Sequence, residues 1–144
     1  MKALVIYDSN YGNTKEIALK ISAGLGTDSK AIPVTEFKRE YLNGVTLLVV
    51  GSPILGWRPS ENTNKLLDSF ESEELKSMKV TSFDTRVKIF FHGDASNKIL
   101  RRLIDKGGEK LCDPKVFFVK DKEGPLFEGE LERAEEWGRE ISRI

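Results

Sequence analysis

Apolar and polar positions along the chain fall into two alternating regimes. Short apolar runs rich in β-branched residues occur at Ala3 to Tyr7, Ala31 to Val34, Val45 to Val50 and Val116 to Val119, each the length of a buried strand. The longer stretches between them carry apolar residues at helical spacing. Thr14, Ile17, Ala18, Ile21 and Leu25 share one face, with Gly24 and Gly26 as stop signals. A second stripe, Thr63, Leu66, Leu67 and Phe70, follows the N-cap candidate Ser60. A third, Ile99, Arg102 and Leu103, stops at Gly107-Gly108, and a fourth is Leu131, Ala134, Trp137, Gly138 and Ile141.

The fourth strand has two candidate positions, Lys79 to Asp84 and Val87 to Phe91. The first is preferred: it puts Asp84, Thr85 and Arg86 at a strand's carboxyl end and leaves Val87 to Gly93 as a loop before a helix capped by Asp94. Strand alternating with helix implies parallel strands joined by right-handed crossovers, hence an open α/β sheet with helices on both faces. Pro33 cannot donate to a ladder, which places the second strand at an edge.

At 144 residues, with no repeat or low-complexity tract, the chain reads as one domain over residues 1–144. Lys plus Arg (23) balance Asp plus Glu (23), so no net field draws the molecule to nucleic acid or to an anionic membrane. The single Cys112 and single His92 exclude an intramolecular disulfide, a cysteine metal cage and a histidine-rich metal site. The apolar run at the N-terminus is too short for a signal peptide, and no stretch approaches the roughly 18 apolar residues of a span. A reduced, cytoplasmic setting is expected.

In sheets of this kind ligands bind beyond the carboxyl ends of the strands. The first such loop, Asp8-Ser9-Asn10-Tyr11-Gly12-Asn13-Thr14, runs from a strand straight into a helix N-terminus, where free backbone N–H groups and the dipole favour an anion. Ser9 and Thr14 add hydroxyls, and Gly12 lets the backbone curl closely. The loop has no Walker lysine and no Gly-x-Gly-x-x-Gly, so a monophosphate fits better than a triphosphate or a dinucleotide. Taken alone, the same residues serve equally as a helix cap and turn.

Ser9 to Thr14 after Ala3 to Tyr7 resembles the FMN phosphate-binding loop of flavodoxins. Gly51-Ser52-Pro53-Ile54-Leu55-Gly56-Trp57-Arg58-Pro59-Ser60 is similar to the family's second flavin loop, and Phe83-Asp84-Thr85-Arg86 with Gly93-Asp94-Ala95 to its third. Phe117 to Leu126, then Glu128 to Ala134, resembles the ending of short-chain members, so the likeness spans nearly the whole chain. It implies a five-stranded parallel sheet of order 2-1-3-4-5, for which flavodoxin is itself the standard example, with FMN at the switch point between strands one and three.

The resemblance also implies residue roles. Ser9, Asn10, Tyr11, Gly12, Asn13 and Thr14 would hold the phosphate; Ser52, Pro53, Ile54, Leu55, Gly56 and Trp57 would face the isoalloxazine; Phe83, Asp84, Thr85 and Arg86 would meet its polar edge. Trp57 offers a flat apolar face for stacking, although relatives often carry their aromatic where Leu55 stands. Gly56 would let a peptide carbonyl turn toward N5 when the flavin gains a proton on reduction. The third loop lacks the family's second stacking Tyr or Trp, leaving Phe90, Phe91 or His92 as substitutes.

The implied function is a low-potential one-electron carrier between redox enzymes, served by a reductase and an acceptor protein, monomeric or weakly dimeric, with no catalytic residue or metal of its own. The alternative is an FMN-dependent NAD(P)H:quinone or related reductase. A phospho-receiver module is disfavoured because the third strand ends in Gly51-Ser52-Pro53, without an aspartate. Net charge zero departs from the acidic character usual in flavodoxins. Cys112 is assigned no chemistry, and the acidic stretch from Glu128 to Glu136 reads as a solvated helix face.

Overall fold

The computed structural model describes residues 1–55, 57–88 and 93–144. In chain order the elements are β1 (Ala3–Tyr7), α1 (Asn13–Leu25), β2 (Ser29–Pro33), β3 (Leu47–Leu55), β4 (Arg58–Pro59), α2 (Glu61–Ser69), β5 (Lys79–Val87), α3 (Ser96–Asp105), β6 (Glu109–Lys110), β7 (Lys115–Val119) and α4 (Glu130–Ser142), with two short 3-10 turns before β3.

The sheet runs β2-β1-β3-β5-β6, with β7 also on β5 and β4 on β3. β2 is the edge strand, its Pro33 opposite Tyr7 of β1, as the missing proline N–H requires. The expected five strands are seven in the structure, for two local reasons. The fifth is broken into β6 and β7, both parallel to β5. Across the break Leu111 N–H still donates to Val80 O at 2.9 Å, and the Thr81 hydroxyl donates to Cys112 O at 3.2 Å just before Pro114. The other addition is β4, which folds back antiparallel on Ile54 and Leu55.

Strand limits shift accordingly. β3 begins at Leu47 and continues through Leu55, because Gly51, Ser52 and Pro53 pair with Phe83, Asp84 and Thr85 of β5. β5 starts at the preferred position and runs past Asp84 to Val87. Val34 opens a 3-10 turn instead of closing β2.

Period-two alternation sends β1 side chains to two cores. Leu4 and Ile6, with Leu48, Val50 and Val80, pack under α2 and α3 against Leu67, Phe70, Ile99 and Leu103. Val5 and Tyr7, with Val49, Phe83 and Phe117, pack under α1 and α4 against Ile17, Ile21 and Trp137. The five positions expected on the inner face of α1 are its buried residues. Gly51 has a steric reason: a Cβ there would lie 2.0 Å from Phe83 Cζ.

Ser60 caps α2, its hydroxyl accepting from Thr63 N–H at 3.3 Å. At α3 the cap is divided: Asp94 Oδ1 accepts from Asn97 N–H at 3.1 Å, while Asp84 Oδ2, arriving from β5, accepts from Ser96 N–H at 2.8 Å.

Candidate functional site at the carboxyl ends of the strands

The ends of β1, β3, β5 and β7 open on one cleft, the position at which sheets of this kind bind their ligands. It is lined by Ser9, Asn10, Tyr11, Asn13, Thr14, Pro53, Ile54, Leu55, Thr85, Arg86, Val87, Val119 and Lys122.

The first loop leaves the sheet with Asp8 N–H donating to Gly51 O at 3.1 Å. Asp8 Oδ1 then accepts from Ser9 N–H at 3.1 Å, and Ser9 Oγ accepts from Gly12 N–H at 3.0 Å. Gly12, at φ 95°, makes the left-handed turn into α1, and no side chain caps the helix there. An L side chain at that φ is disfavoured, which is why glycine stands at the bend. The first-turn N–H groups of α1 therefore face the cleft with no cap of their own.

Thr14 and Thr85 join loops one and three. Their hydroxyls lie 2.8 Å apart and both residues are buried. One O–H serves the pair, so the second is left to donate to another acceptor. The sequence assigns Thr14 to a ligand; the structure gives it a protein partner as well.

Ser52, fully buried, does not line the cleft: its hydroxyl donates to Pro53 O at 2.8 Å and accepts from Ser60 N–H at 2.9 Å. It ties β3 to the start of α2 and leaves Pro53, Ile54 and Leu55 as the wall. Trp57 is 57% exposed at φ 71° and also lies outside the lining. Its backbone abuts Gly93, where a Cβ would lie 2.1 Å from Trp57 Cα, and its carbonyl accepts from Lys98 Nζ at 3.2 Å. Loops two and three thus touch backbone to backbone. Gly56, Phe90, Phe91 and His92 lie outside the described residues.

In the third loop only Thr85 and Arg86, of the four expected residues, reach the cleft. Phe83 is a core residue, fully buried and edge-on to Phe117 at 6.1 Å. Asp84 is fully buried too; its carboxylate accepts from Arg86 Nε at 2.9 Å, Arg86 Nη2 at 2.6 Å and the backbone N–H groups of Ala95 and Ser96. This pair holds the guanidinium at the cleft floor.

Val87, Val119 and Lys122 line the cleft although the sequence points to none of them as site residues. The valines end strands, which is their only local signal. No carboxylate lines the cleft among the described residues; of its two cations, Arg86 is balanced by buried Asp84 behind it, and Lys122 adds a positive charge. Cys112 is not in the lining, and burial raises its thiol pKa, which disfavours the reactive thiolate. No group of three metal-ligating side chains occurs among the described residues. Nor is any described helix long and apolar enough to cross a membrane.

A family model described as a flavodoxin domain matches residues 4–119. No curated protein matches the chain in sequence. Among solved structures, the oxidised flavodoxin 1 of Bacillus cereus is 17% identical with a TM-score of 0.82, the match covering 99% of this chain and 98% of that one. A flavodoxin from the domain Archaea is 21% identical, TM-score 0.77, with 99% and 97% covered. The rubredoxin oxygen:oxidoreductase of Desulfovibrio gigas is 17% identical, TM-score 0.77; the match covers 99% of this chain but 35% of that longer one.

Proposed function

The chain belongs to the flavodoxin domain family, and from that premise we propose that it binds FMN in the cleft and acts as a low-potential one-electron carrier between a reductase and an acceptor protein. The observation that carries the reading is the convergence on one cleft of an uncapped helix N-terminus and an apolar wall.

The donor set fits the group. Ser9, Asn10, Asn13 and Thr14 surround the start of α1 at one end of the lining, a polar cradle for a phosphate. Pro53, Ile54, Leu55, Val87 and Val119 supply apolar surface for a flat ring. Thr85 and Arg86 bring a hydroxyl and guanidinium N–H donors to a ring edge that offers carbonyl acceptors. FMN, when bound, takes up and returns electrons singly, so this chain's work is to hold the ring, shield it from water and shape the field around it. Tyr11 and Trp57, 48% and 57% exposed, stand on the loops a redox partner would meet.

Titration of the purified apoprotein with FMN tests the proposal. One-to-one binding with a perturbed flavin absorption band is expected; a protein that stays colourless and leaves added FMN unchanged overturns it. Thr14→Val sharpens the test. It removes a hydroxyl from a pair with only one O–H to spare, so FMN affinity is expected to fall by about 1.5 to 3 kcal/mol, the worth of a charge-assisted hydrogen bond. Riboflavin, which lacks the phosphate, is expected to lose far less. Equal losses measured by fluorescence titration would place the Thr14 hydroxyl away from the phosphate.

A further inference from the structure

We infer that Lys122 is the phosphate-side cation of the cleft and selects a flavin bearing a phosphate over one without it; this rests on the cleft being a flavin site. The sequence gives Lys122 no distinction among 23 basic residues. Its place is set by the turn that carries it.

The chain after β7 doubles back on itself. Val119 bridges Leu126, Lys120 N–H donates to Pro125 O at 2.8 Å, and Phe127 N–H donates to Phe118 O at 3.1 Å. At the tip Gly124 N–H donates to Asp121 O at 2.8 Å, and Asp121 Oδ1 accepts from Lys122 N–H at 2.8 Å. Lys122 is therefore presented from a hydrogen-bonded turn, which reduces the backbone entropy lost on binding.

That tip is fastened to the first loop. Asn13 Nδ2 donates to Glu123 O at 3.2 Å. Gly124, at φ 106°, comes so near that a Cβ would lie 2.7 Å from Asn13 Oδ1. Asn13 opens α1, so the turn sits at the anion-favouring end of the helix, and Lys122 shares the cleft lining with Ser9, Asn10, Asn13 and Thr14.

Lys122 is also the cation of this lining that no buried carboxylate holds. Arg86, the other cation of the lining, is held by buried Asp84. The Lys122 ammonium makes no ion pair among the described residues. The nearby Asp121 directs its Oδ1 at backbone N–H. Lys120, two residues away, is not in the lining and sets its ammonium 6.0 Å from the centre of the Phe127 ring. A dianionic phosphate before α1 would thus meet the helix dipole, neutral donors and, from the turn after β7, the Lys122 ammonium, whose share is a part that salt screens.

The test titrates apoprotein with FMN and with riboflavin, for the natural protein, Lys122→Gln, Lys122→Glu and Lys120→Gln, in about 0.05 M and about 0.5 M salt. At low salt Lys122→Gln is expected to weaken FMN about fivefold and Lys122→Glu more, with riboflavin changed less than about twofold. Lys120→Gln, which changes net charge equally, is expected to leave both affinities as they were. High salt is expected to narrow the gap between the natural protein and Lys122→Gln. Melting temperatures, unmoved because the side chain is exposed, guard against misfolding. Unchanged FMN affinity in both Lys122 variants, equal losses for FMN and riboflavin, or an equal effect from Lys120→Gln overturns the assignment while leaving the FMN site standing. A natural protein that binds neither flavin overturns both.

Discussion

Replacing Asp84 with Ala is expected to lower the unfolding free energy by about 3 to 5 kcal/mol, the cost of removing one partner from a buried ion pair. Asp84 is fully buried and the Arg86 side chain is 9% exposed. The variant would strip the guanidinium of the carboxylate bound to its Nε and Nη2, and strip α3 of the acceptor for Ala95 and Ser96 N–H. Asp94 is no substitute, since it stands 3.7 Å from Arg86 Nη2 and is 42% exposed, where water screens the attraction. A fall of roughly 10 °C in melting temperature follows. The double variant Asp84→Leu with Arg86→Met is expected to be more stable than Asp84→Ala, because no charge is then left behind in the interior. Urea denaturation of the variants measures the difference; a double variant as unstable as Asp84→Ala would mean that the helix cap, and not the charge pair, is what Asp84 supplies.

Gly138→Ala is expected to cost about 3 kcal/mol. Gly24 of α1 and Gly138 of α4 meet face to face: a Cβ on Gly138 would lie 2.3 Å from Ile21 O, and one on Gly24 would lie 2.1 Å from Glu135 O. Both obstacles are backbone carbonyls of helices, which cannot rotate aside as a side chain would. One methyl therefore forces the helices apart and loosens Ala18, Ile21, Ala134, Trp137 and Ile141, all buried at this crossing. Alanine's better helix propensity, worth about 1 kcal/mol over glycine, offsets only part of that loss. Thermal unfolding of Gly138→Ala beside Gly129→Ala separates the causes. Gly129 has open space at its Cβ position and a φ of 87°, so its variant reports backbone strain alone; equal losses would take the steric account away.

Much of the site was legible because its signals are local. The Gly12 bend, the hydroxyls of Ser9 and Thr14 and the strand-to-helix junction all lie within one loop, where residue type and spacing suffice. The third loop is less legible for a definite physical reason. The sequence pattern ends the strand at Asp84, with Asp84, Thr85 and Arg86 at its carboxyl end and the loop beginning at Val87, and in that reading all three meet the ligand. The strand continues to Val87, so parity sends Phe83 and Thr85 to the α1 side, where one fills the core and the other meets Thr14. Asp84 and Arg86 go to the other side, where Asp84 receives the start of α3.

By itself the sequence determined the alternation of strand and helix, the inner faces of α1 and α2 and most of that of α4, the edge position of β2 and the glycine bend that leads into α1. Each follows from a property carried by a few neighbouring residues: a period of 2 or 3.6, a missing proline N–H, a glycine's tolerance of positive φ. On α3 the sequence pattern placed Arg102, which pairs with Asp68 at the surface, where the buried residue is Leu100. Only the tertiary structure decided that the fifth strand is split, that Gly24 and Gly138 touch, that Asp84 binds both Arg86 and α3, and that the turn bearing Lys122 rests on Asn13. The Asn13–Glu123 bond joins residues 110 apart in sequence. No local propensity specifies such a contact, because it forms only once the sheet has set the distance between the two loops it joins.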